Sequence, residues 1–80
     1  VSIDNFTFAP GTLTIKAGQT VTWINHDDIP HLVVITDLHK KSAALDTNDT
    51  YSIAFDKPGT YEYFCGMHPK MTGTIKVTTK

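Results

Sequence analysis

The amino-acid sequence predicts an all-β domain, a small β-sandwich of about seven strands. Short runs of alternating apolar and polar residues recur about every 8 to 12 positions, the spacing of sandwiches and barrels. Gly- and Pro-marked turns separate the runs. Thr and other β-branched residues are frequent and favour strands.

Taken in order, Leu13 and Ile15 alternate with Thr12, Thr14 and Lys16, and Ala17-Gly18-Gln19 turns the chain. Val21 and Trp23 then alternate with Thr20 and Thr22. "LVVI", opened by His31, is the most apolar run and reads as a buried strand. Residues 39–47, "HKKSAALDT", are the best candidate for a turn or two of helix. Ile53 and Phe55 alternate with Ser52 and Ala54 before the turn Lys57-Pro58-Gly59. In the next run Tyr61, Tyr63 and Cys65 share one face, the interior, with Glu62 and Phe64 on the other. Ile75 and Val77 close the series, with Pro69 and Gly73 shaping the loop before them.

Eighty residues make one domain, 1–80, and a chain of this size buries only roughly 60% of its unfolded surface. Small domains usually add a disulfide, a metal or a partner to such a core. The single cysteine rules out an internal disulfide. Net charge is −1, and no basic block extends beyond Lys40-Lys41, so a nucleic-acid face is not expected. No apolar run approaches a membrane span. The chain opens directly into "VSIDNFTF" without a signal-peptide pattern; an exported protein would have lost it or carried it outside this segment. Nothing demands an oligomer, and a monomer is expected.

The stretch "YEYFCGMHPKMTG" sets Cys65, His68 and Met71 three residues apart, where a strand ends and Gly66 lets the chain bend. A loop of this kind brings thiolate, imidazole and thioether to one point. His31, at the mouth of the apolar run, offers a fourth donor from a neighbouring strand. Two histidines, one cysteine and a weak axial methionine form the blue-copper electron-transfer pattern. Structural zinc sites favour several cysteines or a Cys₂His₂ set, so copper is the expected metal.

Together with "AGQTVTWINHDDIPH" and "FDKPGTYEYFC", this loop resembles the copper loop of the cupredoxins, the type 1 blue copper proteins. The Cys-x-x-His-x-x-Met spacing is most similar to that of amicyanin and pseudoazurin, within a group that also includes plastocyanin. The resemblance runs over nearly the whole chain. It implies a Greek-key β-sandwich with one type 1 copper held by His31, Cys65, His68 and Met71, cycling between Cu(I) and Cu(II). It implies a one-electron carrier between larger redox proteins, such as a c-type cytochrome or a dehydrogenase or reductase. It also implies a periplasmic or otherwise exported location. Many members carry Asn after the first ligand histidine and Ser or Thr after the cysteine, joined by hydrogen bonds. Here those positions are Leu32 and Gly66, which leaves the Leu32 N–H as the donor that can reach the sulfur. The segment from His31 to Cys65 is also shorter than in amicyanin.

Met67 reads as surface patch or packing and not as a ligand; Ile29, Pro30, Met67 and Pro69 form the expected apolar docking patch around His68. His26 and His39, among charged residues, read as solvated. Trp23 is a core anchor, and Phe64 is either an exposed sheet residue or a second electron route outward. Copper enzymes with cupredoxin domains place histidines beside the cysteine, whereas Phe64 and Gly66 flank Cys65, so catalysis is not expected. A copper chaperone or store, or a module excised from a larger redox enzyme, is the alternative; a Met-rich or His-rich surface would favour the first, and only two methionines occur.

Overall fold

A computed structural model describes residues 1–79. The strands are β1 (Ser2–Asp4), β2 (Thr7–Ala9), β3 (Thr12–Lys16), β4 (Gln19–Asn25), β5 (Val34–Ile35), β6 (Lys40–Lys41), β7 (Thr50–Phe55), β8 (Gly59–Phe64) and β9 (Thr72–Thr78). Among the described residues nine strands stand where about seven were expected, because the three-residue β1 and β2 and the two-residue β6 are too short to leave an alternation in the sequence. One sheet runs β2-β1-β4-β7 and the other β3-β9-β8-β5-β6. The pairs β1/β4 and β3/β9 are parallel and the remainder antiparallel, as crossing connections between two sheets require. No helix among the described residues is long and apolar enough to cross a membrane.

Alternation becomes burial. Ile3, Phe8, Val21, Trp23, Ile53 and Phe55 point inward from the first sheet, and Ile35, Tyr63, Ile75 and Val77 from the second. Trp23 is fully buried, with Tyr63 edge-on at a ring separation of 5.2 Å, an arrangement favoured by the ring quadrupoles. Gly73 does not shape the loop, as the sequence suggested; it lies within β9 directly opposite Tyr63. A Cβ there would run into the Tyr63 ring, so the missing side chain is what lets the ring lie across its partner strand.

The expected helix over 39–47 is absent. Instead, Lys40–Lys41 pairs with Val34–Ile35, and Leu45 exchanges both backbone hydrogen bonds with His31, at 2.8 and 3.1 Å. Buried Ser42 accepts the Val33 N–H through Oγ and donates its own N–H to the Val33 carbonyl, both at 2.9 Å. The apolar run 31–35 needs partners for its backbone as it enters the core, and an extended segment supplies them where a helix would satisfy only itself.

Candidate metal centre

Three donors meet at one end of the sandwich. The ligand atoms of His31, Cys65 and His68 all lie within 4.8 Å of one another. Both histidines turn Nδ1 toward the sulfur, at 3.5 Å for His31 and 3.9 Å for His68. Cys65 and His31 are fully buried, and His68 is half-buried.

The spacing of three has a simple backbone cause. The His68 N–H donates to the Cys65 carbonyl at 3.1 Å, and the Met71 N–H donates to the His68 carbonyl at 2.8 Å. These are two successive i to i+3 turns. The Cys65 N–H then closes the loop onto the Met71 carbonyl at 3.0 Å. Cys65, His68 and Met71 therefore stand at the corners of a small hydrogen-bonded ring, with the Met71 side chain buried. His31 arrives from β5's side of the sheet: Val34 pairs with Phe64, one residue before Cys65, and the His31–Leu45 bridge holds the ring in place.

The polar brace that Leu32 and Gly66 lack is replaced by backbone. The Leu32 N–H lies 3.5 Å from the Cys65 sulfur, and the Gly66 N–H donates to the Leu32 carbonyl at 3.3 Å. A Cβ on Gly66 would come within 3.0 Å of Leu32 Cδ1 and 3.3 Å of Val34 Cγ2. Leu32 thus occupies the space that a side chain at 66 would need, and the two departures belong together.

Asn25 and Asp27 organise the loop that carries His31, and sequence reasoning missed both. Asn25 is fully buried; its Nδ2 donates to the carbonyls of Ile29 at 3.0 Å and Leu45 at 2.7 Å, and its Oδ1 accepts the Asp27 N–H at 2.9 Å. Asp27 Oδ2 lies 2.7 Å from His31 Nε2. The Phe6 N–H, and after it the His31 ring and the Asn5 N–H, hold the Asp27 carboxyl down to about 2 against partial burial, so it is ionised at neutral pH. Phe6 was also missed. It is 51% exposed, its ring centroid lies 5.1 Å from that of His68 and 5.8 Å from that of His31, and both contacts are edge-on. The only local signal for Phe6 was "DNFT", a two-residue hairpin loop without the usual glycine.

Of the remaining expectations, Met67 is 49% exposed, and Ile29 and Pro30 are half-buried, while Pro69 is exposed. His26 and His39 are exposed as expected. Phe64 is half-buried, with Glu62 exposed on the same face.

The donor set fits a small soft cation. Bonds of about 2.0–2.3 Å meeting at a trigonal angle set their donor atoms roughly 3.7 Å apart, close to the observed 3.5 and 3.9 Å from sulfur to nitrogen. The Leu32 N–H is aimed at the sulfur, whose thiolate is the form that binds metal. A carboxylate only accepts hydrogen bonds, so a proton on His31 Nε2 pairs with Asp27 and leaves the Nδ1 lone pair toward the sulfur.

Comparison with known proteins gives a consistent picture. A family model described as a cupredoxin-like domain matches residues 1–77. Amicyanin-alpha of Methylorubrum extorquens is 38% identical over 87 residues, covering 96% of this chain and 69% of that protein. Plastocyanin of Scenedesmus fuscus is 42% identical over 83 residues, covering 88% of this chain and 85% of its own length. The chain spans 62% of Paracoccus versutus amicyanin, at 33% identity. Among solved structures, an oxidised amicyanin variant superposes with a TM-score of 0.93 at 32% identity, covering 98% of this chain and 79% of the other. A purple cupredoxin from Nitrosopumilus maritimus gives 0.83 at 34% identity, covering 88% and 80%.

Proposed function

The chain belongs to the cupredoxin-like family, and on that premise we propose that it is a one-electron carrier with a single type 1 copper ion. His31, Cys65 and His68 hold the ion and Met71 is its weak fourth ligand. The supporting observation is the convergence of two Nδ1 atoms and one sulfur within 4.8 Å, with an N–H aimed at that sulfur. Copper supplies the Cu(I)/Cu(II) couple when bound. The chain does the rest.

Its first task is to keep the donors still. Three backbone hydrogen bonds close the Cys65–Met71 loop, and the His31–Leu45 bridge ties the facing segment to it. A frame fixed in this way has little to rearrange when the charge at its centre changes. The second task is to exclude water on the protein side, which burial of Cys65, His31 and Met71 achieves. The third is to offer one edge to a partner. His68 is the half-exposed donor, flanked by exposed Met67 and Pro69, with exposed Phe6 against its ring and Ile29 and Pro30 on the loop before His31. Such a patch suits a brief encounter with a redox protein, for example a c-type cytochrome or a dehydrogenase.

Residues 1–80 act as one domain and a monomer, and the relatives support a periplasmic or otherwise exported location. Phe64 and Gly66 beside Cys65 argue for a carrier and not an enzyme. The fully buried thiol and the fully buried His31 oppose an exchangeable copper-handling site.

The test is an optical spectrum on adding Cu(II) to the copper-free protein and to Cys65→Ser. An intense visible thiolate-to-copper band in the first and none in the second is expected. A colourless complex in both would overturn the assignment.

A further inference from the structure

Asp27 does not touch the sulfur, yet it joins three parts of the site. Its Oδ2 faces His31 Nε2 at 2.7 Å and accepts the Phe6 N–H at 3.0 Å; its Oδ1 accepts the Asn5 N–H at 2.6 Å. Its own backbone is fixed on both sides. The N–H donates to Asn25 Oδ1 at 2.9 Å, and the carbonyl accepts from Thr47 Oγ1 at 2.6 Å. The side chain is 12% exposed.

Taking the copper reading as given, we propose that Asp27 is the positioning residue for both histidines of the centre. It sets the His31 ring directly, and the His68 ring through the Asn5–Phe6 turn.

The direct half follows from hydrogen-bond chemistry. A histidine that binds a metal through one nitrogen must carry its proton on the other, and the partner of that proton fixes tautomer and ring angle. His31 is fully buried, with no water to choose the tautomer for it. Asp27 makes the choice by position: both its oxygens already accept N–H groups, and Oδ2 faces Nε2 at 2.7 Å, where it pairs with the Nε2–H form. Nδ1 is then free on the side where Cys65 and His68 stand.

The indirect half follows from the turn. Asn5 and Phe6 both have positive φ, 50° and 57°, closing the two-residue loop between β1 and β2. Mirror-image turns of this type prefer Asn and Gly, and a bulky residue at the second position is unusual. Both strained residues aim their N–H groups at the one carboxylate. Phe6 is half exposed, so the core does not hold its ring; the turn does. That ring stands edge-on to both imidazoles, at 5.8 and 5.1 Å. Releasing Asp27 therefore frees the His31 proton and the Phe6 ring together.

The test begins without metal, by ¹⁵N NMR of the imidazole nitrogens. In the unaltered chain the His31 proton resides on Nε2; in Asp27→Asn, whose amide can donate as well as accept, mixed tautomers are expected. The same tautomer in both would overturn the direct half. With copper, Asp27→Asn is expected to lose about 10–100-fold in affinity and to shift the visible band and the reduction potential. Unchanged affinity, band and potential would overturn the proposal. Phe6→Gly relaxes the turn and keeps the carboxylate: the His31 tautomer should stay and the His68 ring signals should broaden or move, and unmoved His68 signals would overturn the indirect half. If the unaltered chain shows no intense band with Cu(II), the carrier reading fails, while the tautomer measurement still answers for Asp27.

Discussion

The two ends of the sandwich are built on different principles. At the end holding the Gly18 and Lys57-Pro58-Gly59 turns, side-chain hydrogen bonds either stay within a turn or, as from Thr78 Oγ1 to the Ile15 carbonyl at 3.2 Å, reinforce a strand pair that the backbone already forms. The Lys16 N–H donates to Gln19 Oε1, three residues away, and the Tyr61 hydroxyl to the Lys57 carbonyl, four away. At the donor end, side chains reach across the sequence: Asn25 to Leu45 over 20 residues, Asn5 to Asp27 over 22, and Leu32 to Cys65 over 33. One end is specified by its turns and its strand ladders. The other exists only once the sheets have come together, and its polar side chains do the work that strand ladders do elsewhere.

The sharpest way to break this contrast is Asn25→Ala. It leaves the Ile29 carbonyl and the Asp27 N–H without their partners and the Leu45 carbonyl with the His31 N–H alone. Unpaired buried groups cost about 1–3 kcal/mol each, so a loss of about 2 kcal/mol or more is expected from urea unfolding, together with weaker copper binding. A loss below 1 kcal/mol would show that the loop holds itself.

A middle-sized effect is expected at Gly66. Gly66→Ser brings a Cβ to within 3.0 Å of Leu32, and overpacking of this kind costs about 1–3 kcal/mol. Pairing it with Leu32→Asn should cost less than the two single changes added together, because the residues share one space; a coupling of roughly 0.5–3 kcal/mol is the range for residues in contact. Strict additivity would separate the two departures that the structure joins.

The smallest effect belongs to the other end. Tyr61→Phe removes one hydrogen bond from an exposed turn, at a cost of about 0.5–1.5 kcal/mol. The copper spectrum should not move. A changed spectrum would mean that the ends communicate, and the contrast would fail.

Much of the centre was legible because its signals are local. Period-two alternation put Tyr63 and Cys65 on the buried face, since successive side chains of a strand point to opposite sides. The three-residue spacing of Cys65, His68 and Met71 matches two consecutive hydrogen-bonded turns, a property of neighbouring residues alone. His31 was legible for a different reason: a histidine opening the most apolar run, with a sulfur and an imidazole elsewhere, is a donor in search of company.

What the sequence by itself determined, then, is which residues face inward and which donors are spaced to converge. Tertiary structure decided the rest. The segment 39–47 looks helical in isolation and is extended here, because the backbone of residues 31–35 needs partners that only an adjacent chain supplies. Asn25, Asp27 and Phe6 look like ordinary loop residues until Asn5, Leu45 and His68 are brought beside them. A hydrogen bond depends on distance in space, and partners some twenty residues apart leave no periodicity along the chain by which to find them.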